Sequence, residues 1–303
     1  MKLIVTGTIG IDTVYTPGGG HREGVLGGSC AYFAAAASLY GPVRLVAAVG
    51  DDFPDAHRAT LAKFPSIDAA GLEVRPGSAT FRWGGKYMEN MDERETLFTE
   101  LGVLAEAPPA IPPAFADSDC VFLANSHPAV QADLLSRLPA AKFVVADTMN
   151  LWIDIARDEL TALLGRVSGL VLNYEEAEQY TGTRNPVTAG LKMLERGPEF
   201  VVIKKGEHGS ILVHRNGLSA LPAFPTEKVV DPTGAGDTFA GGMMAHIART
   251  GDTSLDGLRR AMAHGTIVAS FTIEAFSLDR LGGLTRGEID ERYARFASML
   301  RLG

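Results

Sequence analysis

Short apolar runs, each cut off by glycine or a polar cluster, alternate with longer segments of small and amphipathic character along most of this chain. Lys2–Val5, Val43–Val49, Cys120–Ala124, Phe143–Ala146, Leu170–Leu172 and Phe200–Lys204 read as buried strands. Cys30–Tyr40, Ser254–Phe276 and Glu288–Leu300 read as helices, and the alternation predicts an α/β fold. Two stretches break it. Thr13–Leu26 is an excursion rich in glycine and β-formers, and Ala79–Val103 holds two β runs, Thr80–Met88 and Glu95–Val103, around a polar turn at Glu89–Arg94. That pattern predicts a hairpin outside the main sheet. Ser210–His214 and Leu218–Phe224 are further short β runs.

The run Val230–Gly242, V-D-P-T-G-A-G-D-T-F-A-G-G, follows a β-type segment and opens an apolar helix near Thr238. Pro232 cannot continue a ladder, and Gly234 and Gly236 permit a tight turn that another molecule can approach. The first-turn amides of the helix lack intrahelical partners and sit at the positive end of its dipole, which makes the turn an anion site. Asp237 stands where the anion would dock. It reads as a proton acceptor for a hydroxyl attacking that anion, or as an acidic residue that merely favours the dipole. The dipole is expected to lower the pKa of Asp237 and leave it a weak base.

Other polar positions lie where a doubly wound sheet meets its ligands, beyond the carboxyl ends of strands. Asp12 ends the loop G-T-I-G-I-D, Gly27-Gly28-Ser29 precedes a helix, and Asn125 and Ser126 follow a strand. Asn173 and Glu176, three apart at a helix start, fit a capping box. Asp51 and Asp52 read as a solvated loop rather than an acid and base pair, His127 as a loop residue rather than a ligand, and Trp152 as packing.

With 303 residues, 46% of them hydrophobic, the chain can bury the core of one α/β domain or of a domain with a small appendage. A net charge of −8 argues against a nucleic-acid or anionic-membrane partner, while local basic residues can still bind a nucleotide. Cys30 and Cys120 make no disulfide framework and no zinc spacing, so both read as core thiols of a cytoplasmic protein. The N-terminal apolar run is too short for a secretory signal, and Ala31–Leu39 is too short to span a membrane.

Asp231–Gly242 resembles the D-T-x-G-A-G-D-x-F signature of the ribokinase-like (PfkB) carbohydrate kinases, and other motifs follow in that family's order across nearly the whole chain. The resemblance implies one kinase domain over residues 1–303 with a central, largely parallel sheet between helices. It also implies a small β-lid from 13–26 and 79–103, a segment that in the family often also serves as a dimer face. It assigns Asp237 as catalytic base and the amides of Gly234, Ala235 and Gly236 as an anion hole. Asp12 and the backbone of Gly27 and Gly28 would hold the acceptor, with Ser29, Tyr32, Arg82 and Asn125 beside them; Trp83, Tyr87 and Arg94 are further lid contacts. Asn173 and Glu176 match N-x-x-E, which organises Mg²⁺ and its waters. Lys204, Gly206 and Gly209 of K-K-G-E-H-G, together with Thr233 and His264, would border ATP.

The chain departs from the family at several points. Tyr32 replaces an Asn, Gly10 stands where a polar residue is usual, and D-T-M-N-L-W lacks the Arg of related versions. Ala275 replaces the glycine of the K⁺ loop, which argues against activation by K⁺. The activity implied is ATP-dependent phosphorylation of a small sugar or polyol, because the lid is short and the strongest matches surround hydroxyl-binding positions. A nucleoside kinase, with Tyr32, Trp83 or Tyr87 against a base, is the alternative. A non-catalytic sensor is the distant one, and retention of Asp237 speaks against it.

Overall fold

The computed structural model describes residues 1–91 and 93–301; Asp92, within the predicted turn, and Leu302 and Gly303, at the end of the predicted domain, lie outside the described residues. In chain order the strands are β1 (Leu3–Thr6), β2 (Gly10–Thr16), β3 (Gly20–Gly27), β4 (Val43–Gly50), β5 (Ile67–Arg75), β6 (Phe81–Tyr87), β7 (Arg94–Glu100), β8 (Cys120–Leu123), β9 (Phe143–Ala146), β10 (Gly169–Asn173), β11 (Phe200–Lys204), β12 (Ser210–His214) and β13 (Gly217–Leu221). The α-helices are α1 (Ser29–Ser38), α2 (Asp55–Leu61), α3 (Pro128–Ser136), α4 (Asn150–Ile155), α5 (Arg157–Leu164), α6 (Tyr174–Thr181), α7 (Pro186–Leu194), α8 (Ala235–Thr250), α9 (Leu255–Thr272) and α10 (Arg286–Met299).

Nine strands form the main sheet, in the order β13-β12-β11-β10-β9-β8-β1-β4-β5. It is parallel from β11 to β5, with β12 and β13 antiparallel at one edge. Helices cover both faces, which is why the inner strands read as unbroken apolar runs. Alternate residues serve opposite cores. Leu3, Val5, Phe200 and Val202 pack with α1, α8 and α9, while Ile4, Val201 and Ile203 pack with α5 and α7. The small residues of α1 let α8 approach closely: a Cβ on Gly241 would lie 2.4 Å from the Phe33 carbonyl. Among the described residues no helix is long and apolar enough to cross a membrane.

The two stretches that break the alternation pair with each other. They form a second sheet in the order β3-β2-β6-β7, in which β2 and β6 run parallel. Its start corrects one expectation. Asp12 lies inside β2, with Val25 and Trp83 as its strand partners, rather than at a loop end. The glycines around it suggest a loop locally, but pairing with β3 and β6 supplies backbone partners that a local reading cannot see. The edge strand β5 also escapes the sequence pattern, because I-D-A-A-G-L-E-V-R is only intermittently apolar.

The chain leaves β1 toward β4 and leaves β8 toward β9. The crevice where a doubly wound sheet collects ligands therefore opens beyond the carboxyl ends of β1 and β8, and the second sheet enters at that point.

Candidate active site

On one wall of the crevice Asp12 is buried, its Oδ1 without a hydrogen-bond partner. Only glycine fits beside it, since a Cβ on Gly27 would lie 1.9 Å from Asp12 Oδ2. Gly28, at φ 91°, turns the chain into α1. There Ser29 is engaged by Thr8, with Oγ–Oγ1 3.0 Å, so its hydroxyl serves the loop. Burial, then the negative charges of Asp231 and Asp237, push Asp12 up to about 8. In the free site at neutral pH it is largely a neutral acid. Tyr32 is 1% exposed, its hydroxyl is also unpartnered, and its ring lies against the signature turn, where a Cβ on Gly234 would fall 2.3 Å from the ring.

The opposite wall is the N-terminus of α8. Gly234 is its N-cap at φ 75°, and no side chain caps the helix. Among the described residues the amides of Gly234 and Gly236 have no partner, whereas Ala235 N–H donates to the Pro232 carbonyl at 3.1 Å. The predicted three-amide cradle thus has two free donors. Lys204, at the end of β11, brings its Nζ against Gly236, 2.6 Å from where a Cβ would sit. Asp231 is buried; its Oδ1 accepts from Thr233 N–H at 2.9 Å and its Oδ2 has no partner. Asp237 corrects a second expectation. Its pKa is raised, because burial outweighs the opposing charges of Lys204 and Arg94.

Asn173 and Glu176 do form the capping box: Glu176 N–H donates to Asn173 Oδ1 at 2.8 Å, and Asn173 N–H to Glu176 Oε2 at 2.7 Å. The box fixes the orientation of a buried carboxyl whose pKa burial raises. Sequence reasoning missed Asp147. It directly follows β9, is 5% exposed, leaves Oδ1 unpartnered, and is pushed well up by burial and by the charge of Asp237. Its place directly after the buried run Phe143–Ala146, where a doubly wound sheet meets its ligands, was the available signal. Asp147, Glu176 and Asp237 all feel the Lys204 ammonium.

Several predicted residues are engaged elsewhere. His264 stacks between His246 and Tyr293, with ring centroids 4.1 and 4.3 Å away, and its Nδ1 lies 3.3 Å from the Tyr40 hydroxyl. His246 is nine residues along α8 from Asp237, about 13 Å at 1.5 Å per residue. His264 is therefore buried and stacked, set back along α8 from the anion turn. Asn125 accepts from Trp152 Nε1 at 2.9 Å, and Arg82 pairs with Asp52 at 2.7 Å. Tyr87 is buried, and its hydroxyl accepts from Thr233 Oγ1 at 3.1 Å, which leaves it unsuited to stacking. Trp83 shares a face of β2 and β6 with Asp12 and remains partly accessible. Gly206 and Gly209 bound an exposed turn, closed by Lys205 N–H to the Gly209 carbonyl at 2.7 Å.

The sequence profile of the pfkB family carbohydrate kinases matches residues 19–279. The chain belongs to this family. The cytidine kinase of Thermococcus kodakarensis is 33% identical over 257 residues, 82% of this chain and 89% of that protein. The nucleoside kinase of Methanothermobacter thermautotrophicus is 27% identical over 82% of this chain and 78% of that one. Among solved structures, the Methanocaldococcus jannaschii nucleoside kinase aligns with TM-score 0.77 and 21% identity over 97% of this chain and 99% of that one. An E. coli protein described as a ribokinase II, in complex with ATP and Mg²⁺, aligns with TM-score 0.79 and 20% identity over the same shares. The fold of this pfkB kinase is ribokinase-like, and it is a sugar or nucleoside kinase. Kinases of the family use ATP.

Proposed function

We propose that this kinase transfers the γ-phosphoryl group of ATP to a hydroxyl of a nucleoside, with Asp237 as the base. The phosphotransfer reading rests on one juxtaposition: the Asp12 carboxyl and the uncapped α8 terminus, with Lys204 against it, flank one crevice. Asp12 and the Gly27-Gly28 backbone hold the acceptor, and Asp237 receives its proton. The raised pKa suits Asp237 to that task better than the dipole alone would. The free amides of Gly234 and Gly236 and the Lys204 ammonium face the transferred group.

ATP and Mg²⁺ supply the phosphoryl group and neutralise its charge. The site fits them. The turn at Gly234 is a cradle that a Cβ would fill, and Asp147 and Glu176 offer hard oxygen donors. Among the described residues no group of three or more His, Cys, Asp or Glu could hold a metal. That matches an ion that keeps waters and phosphate oxygens as ligands.

For the acceptor, the sequence alone favours a small sugar. Trp83 shifts the reading: it is partly accessible and neighbours Asp12 across the β2–β6 pairing, where an indole would lie against a base. Two relatives that match over 82% of this chain are named cytidine kinase and nucleoside kinase. A panel of nucleosides and sugars, assayed for ADP formation and phosphorylated product, tests both parts. Asp237→Asn is expected to lower kcat by about 10²- to 10⁴-fold with ATP binding retained. On a nucleoside, Trp83→Ala should cost about 1–3 kcal/mol in kcat/KM. If Asp12→Ala is crippling, Trp83→Ala is silent and free sugars are the best acceptors, the nucleoside reading falls.

A further inference from the structure

We infer that Gln131, buried on α3, is a positioning residue that aims the Asp147 carboxyl into the crevice by holding the Asp147 backbone, and so serves the divalent metal that accompanies the nucleotide. This rests on the reading above, in which Asp147 offers an oxygen donor to Mg²⁺ beside ATP. Gln131 is fully buried and works from the face of the main sheet opposite α8. Its helix packs with α5, whose leucines belong to the core of that far face.

The need for such a residue follows from where the parallel ladder stops. β8 and β9 are paired as far as Leu123 and Ala146, and past that row the backbone polar groups must find other partners. The side-chain amide of Gln131 supplies them. Its Nε2 donates to the carbonyls of Leu123 at 2.8 Å, Ala124 at 3.2 Å and Asp147 at 3.0 Å. The Leu123 carbonyl also accepts from Asp147 N–H at 3.1 Å. The two peptide groups that flank the Asp147 Cα are thereby tied to the end of β8, one directly and one through Gln131.

What is fixed in this way is the direction of a side chain. Val145 belongs to the core beneath α8 and Ala146 to the core beneath α5, so the alternation brings Asp147 back to the α8 side. Its surroundings agree. The charges of Asp237, Lys204 and Glu176 all act on its carboxyl. Among the described residues no hydrogen bond holds that carboxyl, and its Oδ1 is buried without a partner. Its aim therefore depends on its backbone. Gln131 is itself imperfectly satisfied, with two amide hydrogens for three carbonyls and a buried Oε1 that has no partner. Capping strand-end carbonyls is a service to the fold; one of those carbonyls belonging to Asp147 makes it a service to the site.

The test uses the full chain with ADP, and with Mn²⁺ in place of Mg²⁺ so that metal binding is read by electron paramagnetic resonance without turnover. Gln131→Met keeps the volume and removes all three bonds. It should weaken Mn²⁺ binding to the ADP complex by about 10-fold or more. With the best acceptor, the Mg²⁺ needed for half-maximal rate should rise by a similar factor, while acceptor KM and kcat at saturating Mg²⁺ stay within about threefold. Asp147→Asn should weaken Mn²⁺ binding as well, and adding Gln131→Met to it should cost little more, because both act on one carboxyl. Gln131→Glu is closer in shape and keeps at most one donor, so it should lose part of the same affinity. Wild-type Mn²⁺ affinity in whichever Gln131 variant folds, a lower Tm as the sole effect, or additive losses in the double variant would each overturn the proposal while the kinase reading stands. A wild-type protein that phosphorylates nothing in the panel, with Mn²⁺ binding still weakened by Gln131→Met, overturns the kinase reading and leaves the positioning role in place.

Discussion

Replacing Gly234 by alanine is expected to damage both stability and ATP binding, and the structure allows the cost to be worked out. Gly234 is at φ 75°, where an L-residue pays roughly 1–2 kcal/mol. Its new Cβ would lie 2.3 Å from the ring of Tyr32, which is 1% exposed and has nowhere to move. Overpacking of this kind costs about 1–3 kcal/mol. The sum is about 2–5 kcal/mol. At the 2–4 °C per kcal/mol usual for somewhat shorter chains, Tm should fall by roughly 4–20 °C. The turn that carries the free amides would shift with it, so ATP affinity should fall as well. Thermal unfolding and ATP titration of Gly234→Ala, Tyr32→Ala and the double variant separate the two contributions. Removing the ring relieves the overpacking but not the backbone strain, so the double variant should be less destabilised than the sum of the singles by about 1–3 kcal/mol. Additivity within about 0.5 kcal/mol, or a Gly234→Ala protein with wild-type Tm, would refute the argument.

Glu176→Gln keeps an oxygen for the capping box but loses the charge, so the Mg²⁺ needed for half-maximal rate should rise by roughly 10- to 100-fold; an unchanged Mg²⁺ titration returns the pair to a helix cap alone. Burial depresses His264 to about 3 and His246 to about 4, so below pH 6.5 the unfolded chain binds protons the folded chain does not. Their contribution to stability is present above that pH and is lost as pH falls toward 4, by up to about 1.4 kcal/mol per unit per ring. The raised carboxyls of the site slope the opposite way, so the measurement is the difference between wild type and His246→Phe/His264→Phe in denaturation from pH 7 to 5. Equal slopes would count against it. Exchanging Na⁺ for K⁺ should leave kcat unchanged; a severalfold rise would show that the free Oδ2 of Asp231 takes the ion despite Ala275.

The apolar runs determined the inner strands of the main sheet, because a strand covered on both faces leaves no position for a polar residue. The T-G-A-G-D turn was equally legible: glycine spacing, the proline and the helix that follows are all local. The hairpin pattern of 79–103 was local too. Tertiary structure decided what depends on through-space neighbours. It paired the second sheet so that Asp12 falls within β2, and it pressed Tyr32 against Gly234. It aimed Lys204 at Gly236 and gathered Asp147 beside Asp237. It turned His264 into the stack with His246, which no alignment of motifs can foresee, because α9 can present any of its faces to α8. The direction of the Asp237 pKa shift belongs to the same class. A helix dipole is written in the sequence around it, but burial is set by every segment that closes over the site, and here burial outweighs the rest.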